Sequence, residues 1–145
     1  MFEGAIDATA RKNLALLNGV SIVKDFYLAG GTAAALQLGH RLSFDLDFFS
    51  TKSFDHQKLV EELSKVGFLE IEQSSTDTFL GVLNKLKISF FRYPYALVFP
   101  TKKFQNIKIA DLRDIAVMKI DAISTRGKKR DFIDLYFIAK EISSL

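Results

Sequence analysis

Cysteine and tryptophan are absent from the chain, and proline occurs only twice. Without cysteine there is no disulfide, no thiolate metal ligand and no cysteine nucleophile, and the absence fits a reducing compartment. The N-terminus, Met1–Gly4, lacks a basic segment and a following apolar run, so we expect no signal peptide. The apolar stretch from Phe26 to Leu38 is too short to span a bilayer. We therefore expect a cytoplasmic protein with no membrane partner.

The composition is that of a globular protein. Hydrophobic residues make up 48% and charged residues 26% of the 145 positions, which predicts one domain spanning residues 1–145. Fourteen phenylalanines indicate a dense aromatic core. The net charge of +3 permits a nucleotide or nucleic-acid partner but does not require one.

The hydrophobic pattern predicts an α+β domain with a mixed β-sheet flanked by helices and a helical C-terminus. Strands are predicted at 26–29, 44–49, 68–73, 79–83, 86–92 and 107–109, with an extended piece at 95–99. Helices are predicted within the first twenty residues and at 33–38, 56–66, 111–124 and 131–142. Asn84 and Lys85 suit the turn of a hairpin.

Gly30, Gly31 and Thr32 stand between a predicted buried strand and a helix. Glycine lets the backbone approach a ligand closely. The N-terminus of the helix offers free N–H groups that suit a phosphate, and the Thr32 hydroxyl could add a hydrogen bond. The alternative is that the glycines form only a tight connection.

Asp45 and Asp47 lie two residues apart on the next predicted strand. Alternate strand residues share a face. The two aspartates therefore lie about 7 Å apart along one face, where their carboxylate oxygens suit a hard cation. Mg²⁺ takes one or two carboxylates together with substrate phosphates. The alternative is a pair of aspartates at a solvated strand end. Because the glycines and aspartates lie on successive elements, we expect one phosphate-and-metal site at the same sheet edge.

The segments Tyr27–Thr32 and His40–Phe49, with the C-terminal stretch Met118–Tyr136, resemble the nucleotidyltransferase-like toxins of the AbiEii/AbiGii abortive-infection type. The resemblance implies a nucleotidyltransferase fold of the polymerase-β kind. It also implies an Mg²⁺-dependent transfer of a nucleotide from an NTP to an RNA acceptor, such as a tRNA, or to a protein acceptor, by the toxin of a pair with a cognate antitoxin.

The resemblance assigns roles to particular residues. Asp45 and Asp47 would bind the metal, and Gly30, Gly31 and Thr32 would hold phosphates. Arg41 would contact phosphate or brace the aspartate segment, with a surface salt bridge as the alternative. Lys119, on a C-terminal helix, would contact the triphosphate or the acceptor backbone from across the cleft. Asp131 would either orient a neighbouring cation or cap the last helix.

Active members of the superfamily usually carry a third acidic residue on a neighbouring strand. In the predicted strand 86–92, that position is occupied by Ser89. The enzyme would then use another acidic residue or substrate-assisted proton transfer. The alternative is a nucleotide-binding module with weak or no transferase activity, or an interaction protein whose acidic pair meets a basic partner. Neither histidine, His40 nor His56, receives a catalytic role.

Overall fold

The computed structural model describes residues 1–144. Its helices are α1 (Ala8–Leu17), α2 (Gly30–Leu38), α3 (His56–Val66), α4 (Leu112–Thr125) and α5 (Lys129–Ser143). Its strands are β1 (Tyr27–Ala29), β2 (Leu46–Ser50), β3 (Leu69–Ser75), β4 (Thr78–Leu83), β5 (Leu86–Arg92), β6 (Lys102–Phe104) and β7 (Ile107–Ile109). No helix in this described part is both long and apolar enough to cross a membrane.

All seven strands form one mixed sheet in the order β3-β4-β5-β2-β1-β7-β6. β2 is parallel to β5 and antiparallel to β1, and β1 is parallel to β7. The end of β1 that leads into α2 therefore lies beside the start of β2. The predicted α+β architecture is confirmed, and this topology places the glycines and the aspartates at one edge.

Three of the five α-helices begin at an aspartate that caps them. The carboxylates of Asp7, Asp55 and Asp111 accept backbone N–H bonds at the starts of α1, α3 and α4. The hairpin between β4 and β5 turns at Asn84 and Lys85, both with positive φ, as a two-residue turn requires.

Four of the fourteen phenylalanines are fully buried and form an aromatic core. These are Phe26, Phe48, Phe79 and Phe90, and the Phe48 and Phe90 rings stack at 5.1 Å between centroids across two strands. Side chains of β2 alternate between full and partial burial. Phe48 therefore points into the core, whereas Asp47 and Phe49 point to the opposite face.

Two local predictions were wrong, and one strand was missed. Residues 95–99 form bends instead of an extended piece, because Asp114 accepts N–H bonds from Val98 and Phe99 and holds this segment against α4. The edge strand β6 was not foreseen. The last helix begins at Lys129 and not at Asp131, so Asp131 is not its cap.

Candidate active site

Asp45 and Asp47 line one cavity of about 420 Å³ beside the sheet edge. Asp47 lies on β2, where its neighbours in register are Ala29 of β1 and Ser89 of β5. β2 begins at Leu46, so Asp45 precedes the strand that was predicted to contain it. Both carboxylates nevertheless reach the same space, together with Gly30.

The surroundings of Asp47 disfavour its ionised form. Burial raises the pKa of Asp47 above its ordinary value, and the adjacent Asp45 charge raises it further. Lys119, Arg126 and Arg130 act in the opposite direction without cancelling the rise. The carboxylate pair is therefore a site that a cation would stabilise.

Gly30 has a φ of 70°, in the left-handed region, and a Cβ there would lie 2.8 Å from Oδ2 of Asp47. Glycine at this position thus allows α2 to start directly beside the carboxylate. A Cβ on Gly31 would overlap the Arg41 guanidinium. Both glycines bring the N-terminal N–H groups of α2 close to charged side chains.

The Thr32 hydroxyl was expected to bind a phosphate, but it makes its hydrogen bonds within the protein. It is buried, donates to the backbone carbonyl of Asp45 and accepts from the Ser43 hydroxyl, whose oxygen lies 2.7 Å away. Its proton is therefore engaged inside the protein, where it fixes the segment that leads to Asp45. Only the backbone N–H of Thr32 remains for a phosphate.

Behind the aspartate pair lie two fully buried carboxylates, Asp131 and Asp134, which hold three cations. Asp131 accepts from Lys119 Nζ at 3.0 Å and from Arg126 at 2.9 Å through both of its oxygens. Burial raises the pKa of Asp131, but the hydrogen bonds from Arg126 and Lys119 outweigh it and lower the pKa. Asp131 thus orients Lys119 and Arg126 instead of capping α5.

Asp134 holds Arg41 and the other side of Lys119. Arg41 donates Nε to Oδ1 at 2.7 Å and Nη2 to Oδ2 at 2.8 Å, and Lys119 Nζ lies 2.7 Å from Oδ2. His40 Nε2 lies 2.7 Å from Oδ1. Burial raises the pKa of Asp134, but the bonds from Arg41, Lys119 and His40 lower it to about 2. Arg41 is therefore held by a buried carboxylate and is not a surface salt bridge.

The cavity has a charged half and an apolar half. The charged half contains the aspartates, Lys119, Arg126 and Arg130, and no residue of the described part forms an ion pair with Arg130. The apolar half is formed mainly by sheet and α4 side chains: Phe49, Leu80, Phe91, Tyr93, Ile115 and Met118. The arrangement can receive a ligand with an anionic end and a flat apolar end.

A third strand carboxylate is missing from this site. Ser89 lies next to Asp47 and lines the cavity, and Asp121 of α4 lines its far side near the Tyr93 hydroxyl. Within residues 1–144, no group of three or more acidic or histidine side chains could together hold a metal ion. The protein itself therefore offers two carboxylates to a metal.

Two solved structures have a fold similar to that of this chain. The Megavirus polyadenylate synthase matches with a TM-score of 0.62 and 14% identity, over 91% of this chain and 32% of that protein. JHP933 from Helicobacter pylori matches with a TM-score of 0.61 and 22% identity, over 91% and 63% of the two chains. The chain has a nucleotidyltransferase fold.

Sequence comparison gives the family. Residues 16–109 match the family described as nucleotidyl transferase AbiEii toxin of type IV toxin–antitoxin systems, and the chain belongs to it. An uncharacterized protein of Aquifex aeolicus (strain VF5) is 40% identical over 135 residues. That match covers 90% of this chain but 66% of the relative, so the chain spans just under two-thirds of the relative's length.

Proposed function

We propose that this protein binds an NTP with Mg²⁺ and transfers its nucleotide to an acceptor hydroxyl of an RNA, such as a tRNA, or of a protein. The observation that carries the proposal is the two-part cavity. One end of the cavity contains the aspartate pair, the cations Lys119, Arg126 and Arg130, and the N-terminus of α2. Aromatic side chains surround the other end. A nucleoside triphosphate has the same two parts, a polyanion and a flat base.

The residues present fit a divalent metal. Asp45 and Asp47 would hold it, because the raised pKa of Asp47, caused by burial and then by Asp45, reflects negative charge that a cation would relieve. Two carboxylates plus phosphate oxygens form an ordinary Mg²⁺ ligand set. When bound, Mg²⁺ would supply charge neutralisation at the phosphates and lower the pKa of the attacking hydroxyl.

The chain's own groups would position the nucleotide. The N–H groups of Gly31 and Thr32 at the start of α2 would face the phosphates. Lys119, Arg126 and Arg130 would add positive charge where negative charge develops on the leaving group. Arg41 would help to hold Lys119 in place, because both residues bind Asp134. Catalysis of this kind depends on positioning and electrostatics more than on covalent chemistry.

A second candidate is a nucleotide-binding module with little or no transfer. Ser89 favours it, because a hydroxyl beside Asp47 neither binds Mg²⁺ as a carboxylate does nor accepts the acceptor's proton as readily. Such a module would bind the metal–nucleotide complex without consuming it.

Incubation with α-labelled NTPs, Mg²⁺ and either total RNA or total protein tests the proposal. We expect label on one acceptor class with the wild type and none with Asp45→Asn or Asp47→Asn. Binding without label in either fraction would support the module instead. The proposed role as a toxin with a cognate antitoxin in the cytoplasm predicts growth arrest on induction, relieved by Asp47→Asn.

A further inference from the structure

His40 is a buried titratable residue that the proposed chemistry does not use. Its side chain is 2% exposed, and its ring packs against Phe137 with centroids 5.2 Å apart. Nε2 lies 2.7 Å from Oδ1 of Asp134. Nδ1 is buried and has no hydrogen-bond partner in the described part of the chain.

These contacts fix the proton of the imidazole. Asp134 is ionised at neutral pH, because bonds from Arg41, Lys119 and His40 overcome the effect of burial and lower its pKa to about 2. An ionised carboxylate only accepts hydrogen bonds, so Nε2 of His40 must donate. The hydrogen on Nε2 of His40 is therefore directed at Oδ1 of Asp134.

The bond from His40 completes the set of donors around Asp134. Oδ1 accepts from His40 Nε2 and Arg41 Nε, and Oδ2 accepts from Arg41 Nη2 and pairs with Lys119 Nζ. Of the three donor residues, Arg41 and Lys119 line the neighbouring cavities, whereas His40 does not. Without His40, the carboxylate would be held only by these two cations.

Arg41 and Lys119 lie close to Asp45 and Asp47, whose carboxylates compete with Asp134 for these two cations. Both line a small cavity together with Asp45 and Asp47. If Asp134 turned, either cation could swing toward the aspartate pair and pair with it directly. The carboxylate oxygens needed by a metal would then be occupied.

We propose that His40 is a positioning residue of the nucleotide site. Its Nε2–H holds Asp134 in the orientation that keeps Arg41 and Lys119 on the wall of the cleft and leaves Asp45 and Asp47 free for a metal-bound triphosphate. This role rests on the proposed function.

The test compares His40→Phe, which keeps a ring without the donor, with His40→Gln, whose amide N–H can reach Asp134. Calorimetry measures the Kd of a nonhydrolysable NTP with and without Mg²⁺. We expect His40→Phe to weaken Mg²⁺-dependent binding about tenfold, the size of effect that loss of one hydrogen bond to a charged group produces. His40→Gln should restore most of the affinity. His56→Phe, at the other histidine, is the matched control and should bind as wild type.

A second measurement monitors the hydrogen bonds around Asp134 in the absence of nucleotide. In ¹H–¹⁵N NMR spectra of the wild type, we expect a slowly exchanging His40 Nε2–H and a slowly exchanging Arg41 Nε–H. In His40→Phe the Arg41 signal should exchange rapidly while the backbone spectrum stays native, and in His40→Gln it should stay slow.

Equal losses of affinity in both variants, in proportion to lost stability, would reduce His40 to a structural residue and overturn the proposal. Unchanged affinity in His40→Phe would do the same. If the wild type binds no metal–nucleotide complex, the proposed function fails and takes the nucleotide role of His40 with it. The Arg41 exchange data would then decide the arrangement around Asp134 separately.

Discussion

Asp47 of β2 and Ser89 of β5 lie side by side, in register on parallel strands, and both line the cavity. The position beside Asp47 is thus within reach of the same ligand but carries a hydroxyl instead of a carboxylate. On the sheet side of the cavity, the carboxylates are therefore those of Asp45 and Asp47. Ser89 is a position where an added carboxylate would lie beside Asp47.

Ser89→Asp should bind Mg²⁺ more tightly than the wild type, because affinity for a hard cation rises with the number of charged oxygen ligands. Without metal the variant should be less stable, because a third negative charge is placed beside Asp47. Calorimetry with Mg²⁺ alone measures the first effect and urea unfolding the second. Ser89→Asn, of equal size and no charge, should show neither; equal behaviour of the two variants would refute the prediction.

Asp47→Asn should stabilise the metal-free protein at neutral pH. Burial and then Asp45 raise the pKa of Asp47 in the folded state, so the ionised group lowers the free energy of unfolding above that pKa. As the pH falls, Asp47 protonates first in the folded protein and the penalty disappears by the ordinary aspartate pKa of about 3.9. Urea unfolding should therefore show the variant more stable at pH 7 and equal below about pH 4. A wild type that is the more stable at pH 7 would contradict the charge assignment.

Gly30→Ala should lose stability and nucleotide affinity together. The positive φ of 70° costs a residue with a Cβ about 1–2 kcal/mol, and the new methyl would press on the Asp47 carboxylate. Gly127→Ala has nearly the same φ, 60°, but its Cβ meets only a backbone oxygen at 3.5 Å. Urea unfolding of both variants separates the backbone penalty from the contact. The Gly30 variant should be the less stable of the two, and equal losses would show that the contact with Asp47 is unimportant.

Asp134→Asn should destabilise the protein by about 3–5 kcal/mol, because it leaves buried cations without their counter-charge. Bonds from Arg41, Lys119 and His40 overcome burial and lower the pKa of Asp134 to about 2. Its contribution is therefore complete above the ordinary pKa of about 3.9 and is lost as the pH falls through 2. The gap between wild type and variant should narrow across this window in urea unfolding.

Asp77→Asn provides the matched control for that experiment. Asp77 pairs with Arg92 at 3.6 Å, and both side chains are more than a third exposed. An exposed pair of this kind contributes about 0–1 kcal/mol. A loss as small in Asp134→Asn would mean that the buried cluster does not hold the cations as described.

The sequence was sufficient to predict what local pattern determines. The alternation of Phe48 with Asp47 and Phe49 predicted a strand with one buried face, and positive-φ residues at Asn84 and Lys85 fit the predicted hairpin. Asp55 and Asp111 cap α3 and α4, and aspartate is a residue type that favours this position. The adjacency of the glycines and the aspartates followed from their positions on successive elements.

The buried cation cluster was not predictable in the same way. Asp134 meets His40 and Arg41 across more than ninety residues of sequence, and only the packing of α5 against α2 brings them together. The engagement of the Thr32 hydroxyl with Asp45 and Ser43 likewise depends on tertiary contacts. The sequence offered two signals: His40 next to Arg41, and the carboxylate of Asp134 one helical turn after Arg130. Neither signal identifies the residue that the side chain contacts.

Binding of a nonhydrolysable NTP, titrated by calorimetry with and without Mg²⁺, tests the central claim most directly. We expect the wild type to bind only when Mg²⁺ is present, with no binding by the Asp45→Asn/Asp47→Asn double variant in either condition. Binding by the double variant equal to the wild type, or no binding by a folded wild type in Mg²⁺, would contradict a phosphate-and-metal site at these residues.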